Sequence, residues 1–244
     1  MTGNVSRYNL VMAHDWMNLD ELAKHLKRDR RSVEKQVQRG RIPAHKLNGE
    51  WRFNATEITH WLESELRDYS DEELANVENA NPSEQTDSAT PVSSLLKPEL
   101  IQIPLEARTK RSVLESLIEV AGRTWQVWEP ASILQAVQER EEVLSTGFEN
   151  GVAIPHPRNP QPDVIGESLV AYGRTFSGIP FGAPKRVLSD VFFLVLCQDG
   201  RTHLKVLARL GRMMQLPNFL DELRGTDDPS ESYRIICEAD EQIG

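Results

Sequence analysis

The chain has 244 residues, 28 Lys plus Arg against 37 Asp plus Glu, and a formal net charge of −9, a length for one large domain or two modest ones. That balance excludes a protein wholly devoted to nucleic acid. Yet ten basic residues lie between Lys24 and Arg52 against three acidic ones (Asp29, Glu34, Glu50), a local +7 that leaves −16 elsewhere; two modules with different partners are expected.

The opening MTGNVSRYNLVMAHDW lacks the charged start, apolar centre and small-residue cleavage site of a secretory signal. A module of about fifty residues follows. Asn18 or Asp20 can cap a helix whose apolar face includes Leu22, Ala23 and Leu26. A short turn at Arg28 to Arg30 leads to a second helix over residues 32–38, with Val33 and Val37 at i, i+4 spacing and Gly40 as its C′ stop. AHKLNGEWRF alternates around Asn48-Gly49, a strong hairpin signal. Asn54 then caps a last helix with Ile58, Trp61 and Leu62 inside.

The second helix offers Arg30, Arg31, Ser32, Lys35, Gln36 and Arg39 outward, as a helix entering the major groove must. Arg and Gln can make bidentate bonds to guanine and adenine edges. Lys46 and Arg52 flank the hairpin, which can act as a wing against the DNA backbone. Residues 15–66 resemble the excisionase-like, MerR-related winged helix-turn-helix family: Gly40, Ile42 and Pro43 in a Gly-x-Ile-Pro segment, the hairpin, Trp51 and Phe53 after it, and a final helix ending Trp-Leu. The resemblance implies DNA binding. A solvated basic face and a protein-docking role for the same fold are the alternatives.

Residues 67–97 carry seven acidic residues, two basic, and Tyr69 as their one aromatic. So polar a stretch buries too little apolar surface to offset its ordering entropy. It reads as a flexible acidic linker, helical at most at its start, between domains at 1–66 and 98–244.

The last domain shows helical patterns over 110–120, 131–143, 203–214, 219–224 and 231–239. Strand-like segments cover 152–154, 168–173 and 191–196. The last is apolar throughout, as in a strand covered on both faces, and far shorter than the roughly 20 residues a membrane helix needs. An α/β (α+β layered) domain with a mixed sheet and flanking helices is expected. Cys197 and Cys237 form no disulfide framework or thiolate metal site. They read as buried apolar residues of a cytoplasmic protein, with no metal and no cofactor.

The most informative stretch runs from Arg140 to His156. Gly151 breaks the chain, residues 152–154 form a short strand, and Pro155 and Pro157 hold His156 in an extended turn. An imidazole so placed is suited to accept a phosphoryl group and pass it on. The loose transition state asks for positioning and charge stabilisation. Arg140 can supply a cationic fork. His203, at the start of a helix, can supply a donor, and the helix amino terminus can favour the anion. Ser145 and Thr146 can also donate, although turn stabilisation explains them equally.

These residues resemble the type-2 IIA domains of the bacterial phosphoenolpyruvate:sugar phosphotransferase system, the fructose/mannitol and nitrogen-regulatory branch, over about residues 95–242. The matching core is Arg-Glu, Ser-Thr-Gly, then Gly-x-Ala-Ile-Pro-His. Gly178 to Phe181, Asp190 and Thr202 to Leu204 recur in order. The resemblance implies that His156 is phosphorylated, with Arg140 and His203 as its arginine and second histidine. It also implies HPr or its nitrogen-branch paralogue as donor. Pro157 departs from the small residue usual there and removes a backbone donor. Three functions stand: a phosphoryl-accepting regulator joined to a DNA-binding module, a sugar-transport IIA component serving a separate permease, and a non-phosphorylated binding version.

Overall fold

The computed structural model describes residues 16–79 and 91–244. They divide into two units, residues 1–88 and 89–244. The expectations for residues 1–15 and 80–90 lie outside the described residues.

The N-terminal unit runs β1 (Trp16–Met17), α1 (Leu19–His25), α2 (Arg30–Gln38), β2 (His45–Leu47), β3 (Glu50–Asn54), α3 (Ala55–Glu65), a 3₁₀ turn (Leu66–Asp68) and α4 (Asp71–Glu78). Asn18 and Glu21 close a capping box on α1, and the Asp29 side chain accepts from Ser32 N at the start of α2. These contacts satisfy N–H groups that a helix cannot pair internally. Gly40, at φ +68°, ends α2: its N–H donates to Val37 O at 2.9 Å and Arg41 N–H to Gln36 O at 3.0 Å. This is the paired bonding of a Schellman stop. Lys27, at φ +48°, ends α1 with the same pattern. Asn48 and Gly49 both have positive φ, and β2 and β3 pair around them with Leu47 opposite Glu50. Two-residue hairpins favour that backbone because its twist matches the strands. β1, which the sequence pattern does not reveal, adds to the other edge of β3. Leu22, Val33, Val37, Phe53 and Ile58 are buried. Each is worth roughly 1.5–3 kcal/mol in removed apolar surface.

The described residues at both ends of the expected linker, 67–79 and 91–97, are folded. Tyr69 OH accepts from Arg28 Nη2 at 2.8 Å, and the Arg28 guanidinium lies over the Tyr69 ring, 5.4 Å from its centroid. Burial pushes the Tyr69 phenol above its ordinary pKa, against the pull of Arg28. Asn79 O accepts from Lys27 Nζ. Tyr69 and Asn79 thus tie residues 66–79 to the turn between α1 and α2, which charge composition alone does not reveal. At the other end Ser93 donates from N and Oγ to Asp240, at 2.8 and 2.6 Å, and Lys97 pairs with Glu167.

The C-terminal unit contains α5 (Val92–Leu95), β4 (Ile101–Gln102), α6 (Lys110–Gly122), α7 (Pro130–Val143), β5 (Val152–Ala153), β6 (Leu169–Ile179), β7 (Ser189–Leu196), α8 (Gly200–Met213), α9 (Phe219–Gly225) and α10 (Pro229–Gln242). Its sheet has the order β4-β6-β7-β5. β4 runs parallel to β6, β6 antiparallel to β7, and β5 parallel to β7. Val191 to Leu196 are all buried, the state expected of a strand covered on both faces. β6 runs on to Ile179 because a register irregularity between Arg174 and Ile179 absorbs the polar stretch that hides its end from the pattern. Of the two cysteines, Cys197 is buried and Cys237 half-buried. Burial, with Asp199 beside it, pushes the Cys197 thiol up to about 12.

Arg209 of α8 and Asp240 of α10 form an ion pair whose side chains are 4% and 1% exposed. Asp240 also takes both Ser93 bonds, and its carbonyl accepts from Arg209 Nη2 at 2.8 Å. Removing one member of such a pair strands a buried charge. Asp240→Ala should therefore cost about 3–5 kcal/mol, read as a lower urea midpoint; an unchanged midpoint would show that the pair is dispensable.

Candidate functional site

His156 follows β5 by three positions, and neighbours on both sides fix its approach. β5 pairs with β7 through Val152↔Val191 and Ala153↔Phe192. On its other side Gly147 bridges to Ala153, and Ile154 N–H donates to Thr146 O at 3.3 Å. Pro155 O accepts from Val195 N at 3.0 Å. His156 Nδ1 lies 2.7 Å from Ile154 O. A carbonyl oxygen can only accept, so Nδ1 carries a proton, and in the neutral ring Nε2 holds the lone pair.

The structure brings His156 and His203 together, their ring centroids 4.8 Å apart and edge-on at 62°. His203 sits in the first turn of α8. Asp199 already caps that helix, accepting from Arg201 N at 3.0 Å and Thr202 N at 2.9 Å. Its carboxylate offsets the positive end of the helix, so the expected help from the amino terminus is reduced. Arg140 lies in the last turn of α7 and donates from Nη1 to Leu144 O at 2.8 Å. It is linked to the histidine loop through the backbone that runs on to the Gly147–Ala153 bridge.

The two hydroxyls noted beside the motif are engaged in structure. Thr146 Oγ1 donates to Glu141, and Thr146 N–H lies 3.0 and 3.3 Å from its two carboxylate oxygens. Ser145 Oγ donates to Phe181 O at 3.0 Å and accepts from Gly147 N at 3.2 Å. Glu141 also pairs with Lys110 at 2.7 Å. The Arg-Glu pair in the sequence marks Glu141, but nothing in the spacing marks its partner thirty-one positions earlier.

A second clamp fixes the turn before β5. Arg224 makes a two-pronged pair with Asp190, at 2.8 and 2.7 Å, and donates to Asn150 O at 2.7 Å. Gly151 lies under this clamp at φ +85°. A Cβ there would stand 2.7 Å from Arg224 Nη2 and 3.0 Å from Asp190 Oδ1.

In the N-terminal unit Arg31, Lys35 and Arg39 are exposed along α2, with Lys46 exposed on the hairpin. Lys46 Nζ lies over the Trp51 ring, 5.1 Å from its centroid, and Arg52 pairs with Glu50 at 2.9 Å. Arg30 pairs with Asp20 at 2.5 Å and Glu34 at 3.4 Å. Surface pairs of this kind are worth at most about 1 kcal/mol and yield readily to phosphate. Ser32 is exposed on α2 and Gln36 half-buried. With Arg28, Arg41, Glu65 and Tyr69 they line a groove of mixed charge, about 770 Å³, beside the helix.

A mixed-sheet α/β unit with a histidine loop on its edge strand, preceded by a winged helix-turn-helix, is the class these features define. Residues 94–239 match the family model "Phosphoenolpyruvate-dependent sugar phosphotransferase system, EIIA 2", and residues 16–65 match "Helix-turn-helix domain". The chain belongs to the EIIA 2 family of that phosphotransferase system. It is 28% identical over 149 residues to a nitrogen regulatory protein of Bradyrhizobium diazoefficiens, covering 60% of this chain and 95% of that one. It is 27% identical over 151 residues to a fructose-specific EIIA component of Haloferax volcanii, covering 61% and 96%. In fold it is similar to the nitrogen regulatory protein IIA-Ntr of Neisseria meningitidis (TM-score 0.54, 23% identity, 59% and 98% covered). The mannitol IIA of Escherichia coli is a further match (TM-score 0.52, 20% identity, 57% and 97% covered). Among the described residues no helix is long and apolar enough to cross a membrane.

Gly151→Ala should push Arg224 off Asp190 and cost about 1–3 kcal/mol for the left-handed backbone alone. Thermal melting measures the loss; a melting temperature equal to that of the parent would show that the turn tolerates a side chain.

Proposed function

We propose that His156 accepts a phosphoryl group from HPr or its nitrogen-branch paralogue, and that the chain is a regulator coupling this state to a DNA-binding module. One observation carries the first half: His156 gives its Nδ1 proton to Ile154 O while the His203 ring packs against it. In the step, Nε2 attacks the phosphorus of the donor phosphohistidine. A new N–P bond forms as the donor N–P bond breaks, and the donor ring leaves with the electron pair. The proton stays on Nδ1, hydrogen-bonded to Ile154 O, and that carbonyl offsets positive charge growing on the ring. Arg140 and His203 act on the phosphoryl oxygens, and positioning and charge supply most of the acceleration.

Nitrogen regulatory relatives and the attached helix-turn-helix support the regulatory reading. The fructose-specific relative supports a second one, in which a separate permease component takes the group from His156. A solved complex of the mannitol IIA with its phosphorylated IIB shows that pairing for the mannitol proteins. The DNA half rests on exposed Arg31, Lys35 and Arg39, with Lys46 and Arg52 on the hairpin.

His156→Ala should abolish acid-labile phosphate uptake from phosphoenolpyruvate, enzyme I and HPr or its paralogue, with the circular dichroism spectrum unchanged. Label that persists and maps elsewhere would remove the assignment. Arg140→Lys should slow uptake, because an ammonium lacks the planar fork. Passage of the label to a purified fructose-type IIB would favour the transport reading.

Duplex DNA should bind more weakly as salt rises, because each neutralised phosphate releases counterions. Lys35→Ala and Arg39→Ala should each lower the slope of log K against log salt by about 1 where they contact phosphate. Failure of the full chain to bind any duplex at low salt would favour protein docking by the same surface.

A further inference from the structure

Glu141 touches neither histidine, yet the loop that carries His156 depends on it. Its side chain is 1% exposed. It meets three donors: Thr146 N–H, the Thr146 hydroxyl and the Lys110 ammonium, the last at 2.7 Å from Oε2. A carboxylate so enclosed is tolerated because its lone pairs are filled and its charge is balanced. The bonds continue onward in one direction. Thr146 O accepts from Ile154 N–H at 3.3 Å, and Ile154 O receives the His156 Nδ1 proton at 2.7 Å. Gly147, the next residue, presses against Ala183, whose Cβ would lie 3.0 Å from an added Cβ, so the loop has little room to shift sideways.

We infer that Glu141, held by Lys110, is a positioning residue that fixes the reactive tautomer of His156 by locking the Thr146–Ile154 backbone. This rests on the reading of His156 as phosphoryl acceptor. Thr146 O grips the Ile154 N–H, and the carbonyl on the other side of the Ile154 Cα, in the Ile154–Pro155 amide, points at Nδ1. If Thr146 drifts, that carbonyl turns and the imidazole loses what holds the proton on Nδ1. The ring then populates the other tautomer, with the proton on Nε2 and no lone pair there to attack phosphorus. A glutamine at 141 keeps the shape but offers one accepting oxygen and one NH₂ group. It cannot face three donors at once, so one of Thr146 N–H, Thr146 Oγ1 and Lys110 must give way.

The test uses full-length protein and two readings: the ring ¹⁵N chemical shifts of unphosphorylated His156 where the imidazole is neutral, and the rate of phosphoryl uptake. In the parent protein the shifts should report a protonated Nδ1. In Glu141→Gln they should move toward the Nε2–H form, and uptake should slow by about 10- to 100-fold, the scale of a misplaced reacting group. Parent-like shifts together with a parent-like rate in folded Glu141→Gln would overturn the inference and leave the acceptor reading standing. A tautomer change without phosphoryl uptake even in the parent would keep the positioning role and sink the acceptor reading. If Glu141→Gln does not fold, Thr146→Val, which removes one donor at nearly constant volume, gives the same two readings. Shifted values there support the role, and parent values exclude it.

Discussion

Two residues of strand, Val152 and Ala153, hold the histidine loop to the sheet. β5 is the edge strand, yet both its sides are engaged, by β7 on one and by residues 146–148 on the other. Everything described around His156 answers to that pairing. The Asp190–Arg224 clamp sets the turn that enters it, with Asp190 N–H bonded to Gly151 O at 2.9 Å. Glu141 sets the segment beside it, and Val195 N–H takes the Pro155 carbonyl beyond it. So short a strand has few bonds of its own. Its rigidity is borrowed from β7, whose residues 191–196 are all in the core.

The two units spend charge in opposite ways. In the N-terminal unit the cations of α2 and the hairpin are exposed, and those that are paired, such as Arg30 and Arg52, have partners at the surface. Such pairs exchange readily for another anion. In the C-terminal unit Arg209–Asp240 and Lys110–Glu141 enclose at least one nearly inaccessible side chain each. Buried pairs rarely add much stability over an apolar replacement, but breaking one is costly. The first arrangement suits a surface meant to meet phosphates, the second a scaffold that must keep one geometry.

Much of this was legible in the residue order. Helix caps at Asn18 and Asn54, the stop at Gly40 and the hairpin at Asn48-Gly49 are local signals, and each stands where the pattern puts it. The apolar run of β7 and the Gly-x-Ala-Ile-Pro-His motif likewise identify the sheet centre and the histidine loop. What escaped were pairings over long separations. β1 and β4 are two residues each, too short for any periodicity. The Lys110–Glu141 and Asp190–Arg224 pairs join elements that only the fold brings together. The folded start of the expected linker rests on buried Leu66, Tyr69 and Leu74, against a composition that otherwise argues for disorder.

The wide separation of pairing partners in the C-terminal unit bears on how the protein is made. The hairpin and the α1–α2 pair join near neighbours in sequence, and such contacts form quickly. The histidine loop needs Ile101 to find Tyr172 and Val152 to find Val191 in parallel registers, each of which closes a long stretch of chain before any bond repays the entropy lost. On the ribosome the helix-turn-helix emerges first and has its partners at hand. The histidine loop waits for β7, and its clamp waits for α9. A nascent or truncated chain ending before residue 224 thus carries a complete basic surface without the guanidinium that braces its histidine loop, so the two halves become competent at different moments of synthesis.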